Sequence, residues 1–172
     1  MNDKRARTTN LTQDFSSPEF VELYNRRIAE DGAADINQQI IADYRAAGGP
    51  TGIFTGAPIL LLTTTGARSA LPRTAPLVYA RDGHRYVIIG SRAGASVHPA
   101  WYHNLRANRH ATVEVGTETF KAVCSVADGA ERDRLFASYL AQVPEAIAEL
   151  MHQYERKTTR RFPVVVLEQL SR

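Results

Sequence analysis

Residues 59–94 read ILLLTTTGARSALPRTAPLVYARDGHRYVIIGSRAG, and this stretch decides the fold. It opens with apolar and β-branched residues and becomes polar at Thr63, which predicts a buried strand. We expect a second strand from Arg73 to Arg81 and a third from Arg85 to Ser91, because the Asp82-Gly83 pair between them is typical of a tight hairpin turn. Consecutive strands joined by hairpins favour an antiparallel barrel over a parallel, doubly wound sheet.

Further helices and strands flank this hairpin. The capping pattern Ser16-Ser17-Pro18-Glu19 predicts a first helix, and a second helix runs from about Asp35 to Gly48-Gly49-Pro50. Beyond residue 94 we expect a short helix starting near Pro99, a hairpin of residues 111–115 and 119–126, a helix after Asp128, a helix over 145–154 and a last strand over 163–167. The pattern predicts an α+β protein with a flexible arm, residues 1–14, before a single domain, residues 15–172.

Composition restricts the class of protein. The chain has 172 residues, 44% of them hydrophobic, which suffices for a packed core. No apolar run approaches the roughly 20 residues that span a bilayer, and the polar residues 1–10 resemble neither a signal peptide nor an anchor. The one cysteine, Cys124, cannot form an intramolecular disulfide, and we expect an inert, half-buried thiol. These features predict a cytoplasmic protein.

Several common catalytic patterns are missing. The sequence has no Gly-x-Gly-x-x-Gly fingerprint, no phosphate-binding loop ending in Gly-Lys-Ser/Thr and no Gly-x-Ser-x-Gly elbow. Its five histidines lack the His-Glu-x-x-His spacing. We therefore expect neither a serine hydrolase nor a metal site.

Arginines concentrate in the middle of the chain. Residues 58–115 contain seven arginines and only two acidic residues, whereas the whole chain has a net charge of only +3. Two loops in this region, Thr65 to Arg73 and Gly90 to Ser96, combine arginine with small residues. Backbone N–H groups, hydroxyls and guanidinium forks suit phosphate or carboxylate groups. Each loop alone is more consistent with a solvated turn, but two of them around one hairpin favour a shared anion site.

An aromatic helix follows the second loop. It carries Trp101, the only tryptophan, which suits either a core anchor or the wall of a ligand site. Asn104 is placed about one turn along the helix, where its amide suits a hydrogen bond to a bound ring or to a neighbouring loop.

Taken together, these segments resemble the deazaflavin-dependent nitroreductase family, the coenzyme F420-dependent reductases with a split β-barrel. The matching segments are residues 60–94 of the stretch quoted above, HPAWYHNLRANRHATVEV (98–115) and YERKTTRRFPVVVLE (154–168), and the likeness covers roughly residues 36–168. The resemblance implies a mainly antiparallel split β-barrel of the FMN-binding, pyridoxamine-oxidase-like type. N-terminal helices and further helices would pack on that barrel.

The resemblance also implies site residues for coenzyme F420. Arg68 and Ser69 would hold the phosphate and oligoglutamate tail, and Tyr154 would lie on the substrate side. The residues implied along the chain and ring of the coenzyme are Arg73, Thr74, Ala75, Pro76 and Leu77, then Ile89, Gly90, Ser91, Arg92, Ala93 and Gly94, with Ala100, Trp101 and Asn104 closing the site. Ser91 is our candidate hydrogen-bond donor to charge developing on the acceptor, with a strand-end cap as the alternative role.

Three positions depart from the family pattern. Ala67 stands where a second basic residue often follows the glycine turn, and Ala70 stands where a glycine is usual. Arg92 replaces the common lysine, and a guanidinium can bind a phosphate with two parallel hydrogen bonds. We expect these changes to alter affinity rather than the identity of the coenzyme.

The implied function is an oxidoreductase that transfers a hydride from reduced F420 to an organic acceptor: a quinone, a nitroaromatic, or an activated enone or lactone. The alternatives are an FMN-dependent oxidoreductase on the same barrel and a non-enzymatic basic binding module. Because its aromatic residues are not interleaved with arginines, we expect no nucleic-acid partner. A basic arm with Phe15 and Phe20 suggests peripheral contact with the inner face of the membrane. The oligomeric state stays open.

Overall fold

The structure is a computed structural model that describes residues 33–171, together with Glu19 and Glu22. The predicted arm, the rest of the predicted first helix and the residues Phe15 and Phe20 lie outside the described residues. No helix in the described part of the chain combines the length and the hydropathy needed to cross a membrane.

In the described part of the chain, six strands form a closed barrel in which every pair is antiparallel. They are β1 (Ile59–Thr65), β2 (Pro72–Asp82), β3 (Arg85–Ile89), β4 (His110–Val115), β5 (Glu118–Ala127) and β6 (Val164–Gln169). Around the barrel the order is β1-β2-β3-β6-β5-β4, and β4 pairs again with β1. The predicted antiparallel barrel is confirmed, and β6 is the element that joins the two hairpins into one ring.

The pairing of β2 leaves an opening in the barrel wall. Residues 72–78 of β2 pair with β1, but only residues 79–82 pair with β3. The first half of this long strand therefore has one strand neighbour instead of two among the described residues. A strand edge without a partner exposes backbone and side chains to whatever lies beside it, and here it forms one wall of a cleft.

Within residues 33–171, four helices surround the barrel: α1 (Ala33–Ala47), α2 (Ala100–Ala107), α3 (Gly129–Gln142) and α4 (Glu145–Arg156). All four were predicted at these places. Most strand ends differ from the prediction by one or two residues; among them, β3 stops at Ile89 and β6 begins only at Val164. Pro163 has no N–H for a ladder, and its carbonyl instead accepts a hydrogen bond from Gly90 N at 2.9 Å.

Helix starts also differ in detail from the prediction. Pro99 is the residue that caps α2 rather than part of its first turn. Asp128 is the N-cap of α3 as expected, but its side chain makes no capping hydrogen bond. The helices therefore derive their stability mainly from the apolar faces that they bury.

The first four residues of β1 are all apolar because both faces of the strand are covered there. Leu60 and Leu62 point into the barrel with Trp101 of α2, while Ile59 and Leu61 pack outside with α1 and α4. A sheet buried on both faces produces a continuous apolar run rather than an alternating one. This explains why residues 59–62 predict a strand without the usual polar alternation.

Cys124 lies in β5 with its side chain in the barrel interior. Burial raises the pKa of its thiol to about 12, so the thiol stays protonated at neutral pH. The expected inert thiol agrees with this environment, although the side chain is fully rather than half buried.

Candidate active site

A cleft of about 1190 Å³ opens beside the first half of β2. Its polar end is formed by the loops that follow β1 and β3, and it is lined by the arginines Arg68, Arg73 and Arg92 together with His103. None of its described lining residues is Asp or Glu. A concave site with several guanidinium groups and no carboxylate has a positive potential that attracts anions.

Two of these arginines have no protein partner in the described part of the chain. No hydrogen bond, ion pair or ring contact engages the guanidinium of Arg68 or of Arg73 there, whereas most other arginines, such as Arg45 with Glu114, are paired. Unpaired guanidinium forks suit the two-oxygen faces of phosphate and carboxylate groups.

The first loop, residues 66–71, is a compact turn held by backbone hydrogen bonds. Gly66 N donates to Leu71 O at 2.8 Å, and Ala70 N donates to Gly66 O at 2.9 Å. Ala70 has a φ of 57°, in the left-handed region that favours glycine. This conformation explains why a glycine is usual at this position in the family that the sequence resembles.

Asn104 fixes this loop to the barrel. Its side-chain oxygen accepts a hydrogen bond from Ala67 N at 2.9 Å, and its side-chain nitrogen donates to the hydroxyl of Thr64 at 3.0 Å. Asn104 is buried, and both ends of its amide are engaged. The sequence suggested either a bound ring or a neighbouring loop as the partner of this amide, and the amide oxygen binds the loop.

The second loop contains three consecutive residues in left-handed conformations: Arg92, Ala93 and Gly94 have φ angles of 45°, 51° and 78°. Such conformations are disfavoured for residues with a Cβ and persist where surrounding contacts enforce them. Ser91 precedes this turn and its hydroxyl makes no capping hydrogen bond, so the alternative role as a cap finds no support. The side chain of Ser91 lines the cleft.

All predicted site residues line the cleft except Gly90 and Gly94. A Cβ on Gly90 would lie 2.7 Å from Cγ of Pro163, and a Cβ on Gly94 would lie 2.7 Å from the carbonyl oxygen of Tyr154. Both glycines therefore permit close packing behind the loop, which is a structural role that local sequence does not distinguish from ligand contact.

Arg160 binds the second loop from outside the cleft. It donates to Gly90 O at 3.0 Å, to Ser91 O at 2.7 Å and to Ala95 O at 2.9 Å. It also contacts Nδ1 of His98 at 2.9 Å. Sequence reasoning missed this residue, because its partners lie up to 70 positions away in the chain. The only signal was its place in the third segment that resembles the family.

The other end of the cleft is apolar. Helix α4 contributes Ile147, Leu150, Met151 and Tyr154, which recur at helical spacing on one face and meet Val78 of β2. Phe54 and Tyr139 complete this end. Sequence reasoning identified only Tyr154, although the spacing of the four residues on α4 was visible as an amphipathic pattern.

The sequence profile of F420H(2)-dependent quinone reductases matches residues 37–169 of this chain. The chain belongs to this family. An F420H(2)-dependent quinone reductase of Mycobacterium tuberculosis is 40% identical over 128 residues, which cover 73% of this chain and 85% of the relative. This confirms the predicted resemblance to F420-dependent reductases.

Solved structures place this F420H(2)-dependent quinone reductase family member among the split barrels. An F420-H2 dependent reductase is 30% identical, with a TM-score of 0.53, over 64% of this chain and 94% of that chain. A chain solved as a domain-swapped dimer is 27% identical, with a TM-score of 0.53, over 88% of this chain and 100% of that chain. The predicted α+β split barrel is thereby confirmed.

The donor groups of the cleft fit an F420-type coenzyme. Unpaired guanidinium groups stand at one end, and small residues such as Ala75, Ala93 and Ala100 stand beside them. Small side chains let a flat ring approach the backbone closely, and no lining carboxylate opposes an anionic tail.

We expect Asn104→Ala to lower the free energy of unfolding by about 1–3 kcal/mol, because it leaves the Ala67 N–H and the Thr64 hydroxyl without their partner. Urea denaturation measures this change. The control is Asn108→Ala at the end of the same helix, whose exposed side chain only accepts from His110 N, and it should cost less than about 1 kcal/mol. Equal costs for the two variants would contradict the role of Asn104.

Proposed function

We propose that this family member takes a hydride from reduced coenzyme F420 and delivers it to a quinone bound in the same cleft. The observation that carries the proposal is the division of the described lining of one cleft into a set of arginines without a carboxylate and a cluster of apolar side chains. The cationic end suits an anionic coenzyme tail, and the apolar end suits a quinone.

The proposed coenzyme contacts follow this division. Arg68, Ser69 and Arg73 would bind the phosphate and carboxylate groups of the tail, and Arg92 would bind the phosphate side. The ring would lie along the residues of β2, β3, the loop after β3 and α2 that line the cleft, namely Thr74, Ala75, Pro76, Leu77, Ile89, Ser91, Ala93, Ala100 and Trp101. Reduced F420, when bound, supplies the hydride.

The protein would contribute position and electrostatics. Alignment of two reactants in one cleft can lower a barrier by roughly 7–11 kcal/mol in favourable cases. Ser91 lines the cleft and its hydroxyl makes no capping hydrogen bond, so we assign it the role of donor to charge that develops on a quinone oxygen. Tyr154 would border the acceptor from α4.

A quinone is the acceptor class that family membership favours over nitroaromatics, enones and lactones. The same membership favours F420 over FMN and an enzyme over a basic binding module.

The direct test mixes the purified protein with reduced F420 and a soluble quinone and follows the return of oxidised F420 absorbance. We expect enzyme-dependent oxidation that saturates with quinone. Reduced FMN in place of reduced F420 should support much slower turnover. Oxidation of F420 no faster than in the protein-free mixture would contradict the proposed function.

We expect the double variant Arg68→Ala, Arg73→Ala to bind F420 roughly tenfold or more weakly, because two charge-assisted contacts are lost. Its affinity should also depend less on salt than that of the parent protein, since fewer exposed charges take part. Fluorescence titration measures both. Arg109→Ala removes an exposed arginine outside the cleft lining and is the matched control, for which affinity should stay within about twofold.

Peripheral membrane contact through residues 1–14, and a single domain formed by residues 15–172, stay predictions. Two exposed apolar side chains, Leu71 and Val97, extend from the loops that frame the cleft and support a membrane-facing mouth. A variant lacking residues 1–14 should melt at the same temperature as the full chain but pellet less with anionic liposomes. Equal pelleting would remove the arm from the proposal.

A further inference from the structure

We infer that Arg160 is the positioning residue that holds residues 90–98, here called the coenzyme loop, in the conformation that binds F420. Arg160 does not line the cleft, so it would act through Ser91 and Arg92 rather than on the ligand itself. The inference rests on the proposed function and assigns a role to a residue outside the site.

The first support is the way Arg160 uses its guanidinium. All three nitrogens are engaged: Nη1 with Gly90 O and His98 Nδ1, Nη2 with Ser91 O, and Nε with Ala95 O. These acceptors span the coenzyme loop from its first residue to its last. One rigid, planar group thus fixes four points of the loop at once, which a flexible ammonium group cannot reproduce.

The second support is that the coenzyme loop needs outside contacts. Within the loop, Gly94 N donates to Ser91 O and Ala95 N donates to Arg92 O, both at 3.0 Å. These two bonds close a turn in which Arg92 and Ala93 are both left-handed. Residues in strained backbone conformations persist only where surrounding contacts hold them there. The hydrogen bonds of the Arg160 guanidinium provide such contacts.

The third support is charge. Burial and the nearby cation of Arg92 both lower the pKa of the Arg160 guanidinium, which means that two like charges are held close to each other. Arg92 lies on the cleft side of this pair and lines the site. An anion bound beside Arg92 relieves the repulsion, so binding of the coenzyme and the conformation of the loop are coupled.

The base of Arg160 is itself fixed. Its backbone N–H donates to the hydroxyl of Thr158 at 3.1 Å, and its guanidinium carbon lies 4.8 Å from the ring centroid of the buried Phe162. Phe162 is close to the start of β6, which is paired on both sides. Arg160 therefore holds the coenzyme loop at a fixed position relative to the barrel wall.

The test compares Arg160→Ala, Arg160→Lys and the control Arg161→Ala. Arg161 is the exposed neighbour that pairs only with Asp133 among the described residues, so its loss removes a charge without touching the loop. We expect Arg160→Ala to raise the Kd for F420 roughly tenfold or more, and Arg160→Lys to raise it several-fold. Arg161→Ala should stay within about twofold.

Two further readouts separate positioning from general stability. The KM for reduced F420 should rise much more than the KM for quinone. Guanidinium ion at millimolar concentration should restore part of the affinity of Arg160→Ala and leave the parent protein unchanged. In the coenzyme-free protein, amide hydrogen exchange should accelerate in residues 90–98 of Arg160→Ala and not in the barrel strands.

Arg160→Lys with parental affinity, or folded Arg160→Ala with parental affinity and loop exchange, would overturn the inference. If Arg160→Ala does not fold, the affinity and loop exchange of Arg160→Lys decide the matter. A parent protein that fails to bind F420 would instead refute the proposed function, and a parent protein that binds F420 without reducing quinone would refute only the proposed reaction.

Discussion

The insertion of β6 between β3 and β5 is the pairing on which the rest of the structure depends. β6 pairs with β3 from Tyr86–Leu167 to Ile89–Val164, and with β5 from Ala122–Gln169 to Ala127–Val164. Without it the two hairpins would expose long strand edges. The same insertion brings residues 160–163 against the loop that follows β3. The end of the chain thereby determines the shape of a loop about 70 residues earlier.

The site follows from a second property of the barrel, the unequal pairing of β2. Because residues 72–78 pair only with β1, the wall opens where the strand carries small and apolar side chains. The loops after β1 and β3 bring arginines to one end of this opening, and α4 brings apolar side chains to the other. A barrel that is otherwise filled by packed side chains thus retains room for a flat ring next to a strand edge.

Local patterns predicted much of this arrangement. The Asp82-Gly83 turn, the apolar run of β1 and the glycine stops after α1 are each encoded by adjacent residues, and each predicted the correct element. The arginine-bearing loops could also be identified, because small residues and guanidinium groups occur there side by side. The sequence did not show which residues of each loop face the cleft and which pack behind it. Gly90 and Gly94 belong to the same motif as Ser91 and Arg92, yet they face Pro163 and Tyr154 from the far side.

Arg160 escaped prediction for a related physical reason. Arg160 binds carbonyl groups and a ring nitrogen that lie close to it only when β6 is paired with β3. His98 contributes that ring nitrogen, and burial, followed by the neighbouring charge of Arg160, lowers its pKa, which favours the neutral ring whose Nδ1 can accept. No window of the sequence contains both partners. Contacts between distant segments follow from topology, whereas turns and helix ends follow from nearest neighbours.

The contact between Gly94 and the backbone of Tyr154 has a consequence for how such proteins diversify. A Cβ on Gly94 would lie 2.7 Å from the carbonyl oxygen of Tyr154, so a residue larger than glycine at this position would require α4 and the turn at Arg92 to move apart. The same helix also carries Ile147, Leu150 and Met151, which take no part in this close contact. Exchange of these three side chains therefore changes the apolar lining of the cleft while the close contact between α4 and the turn at Arg92 is kept.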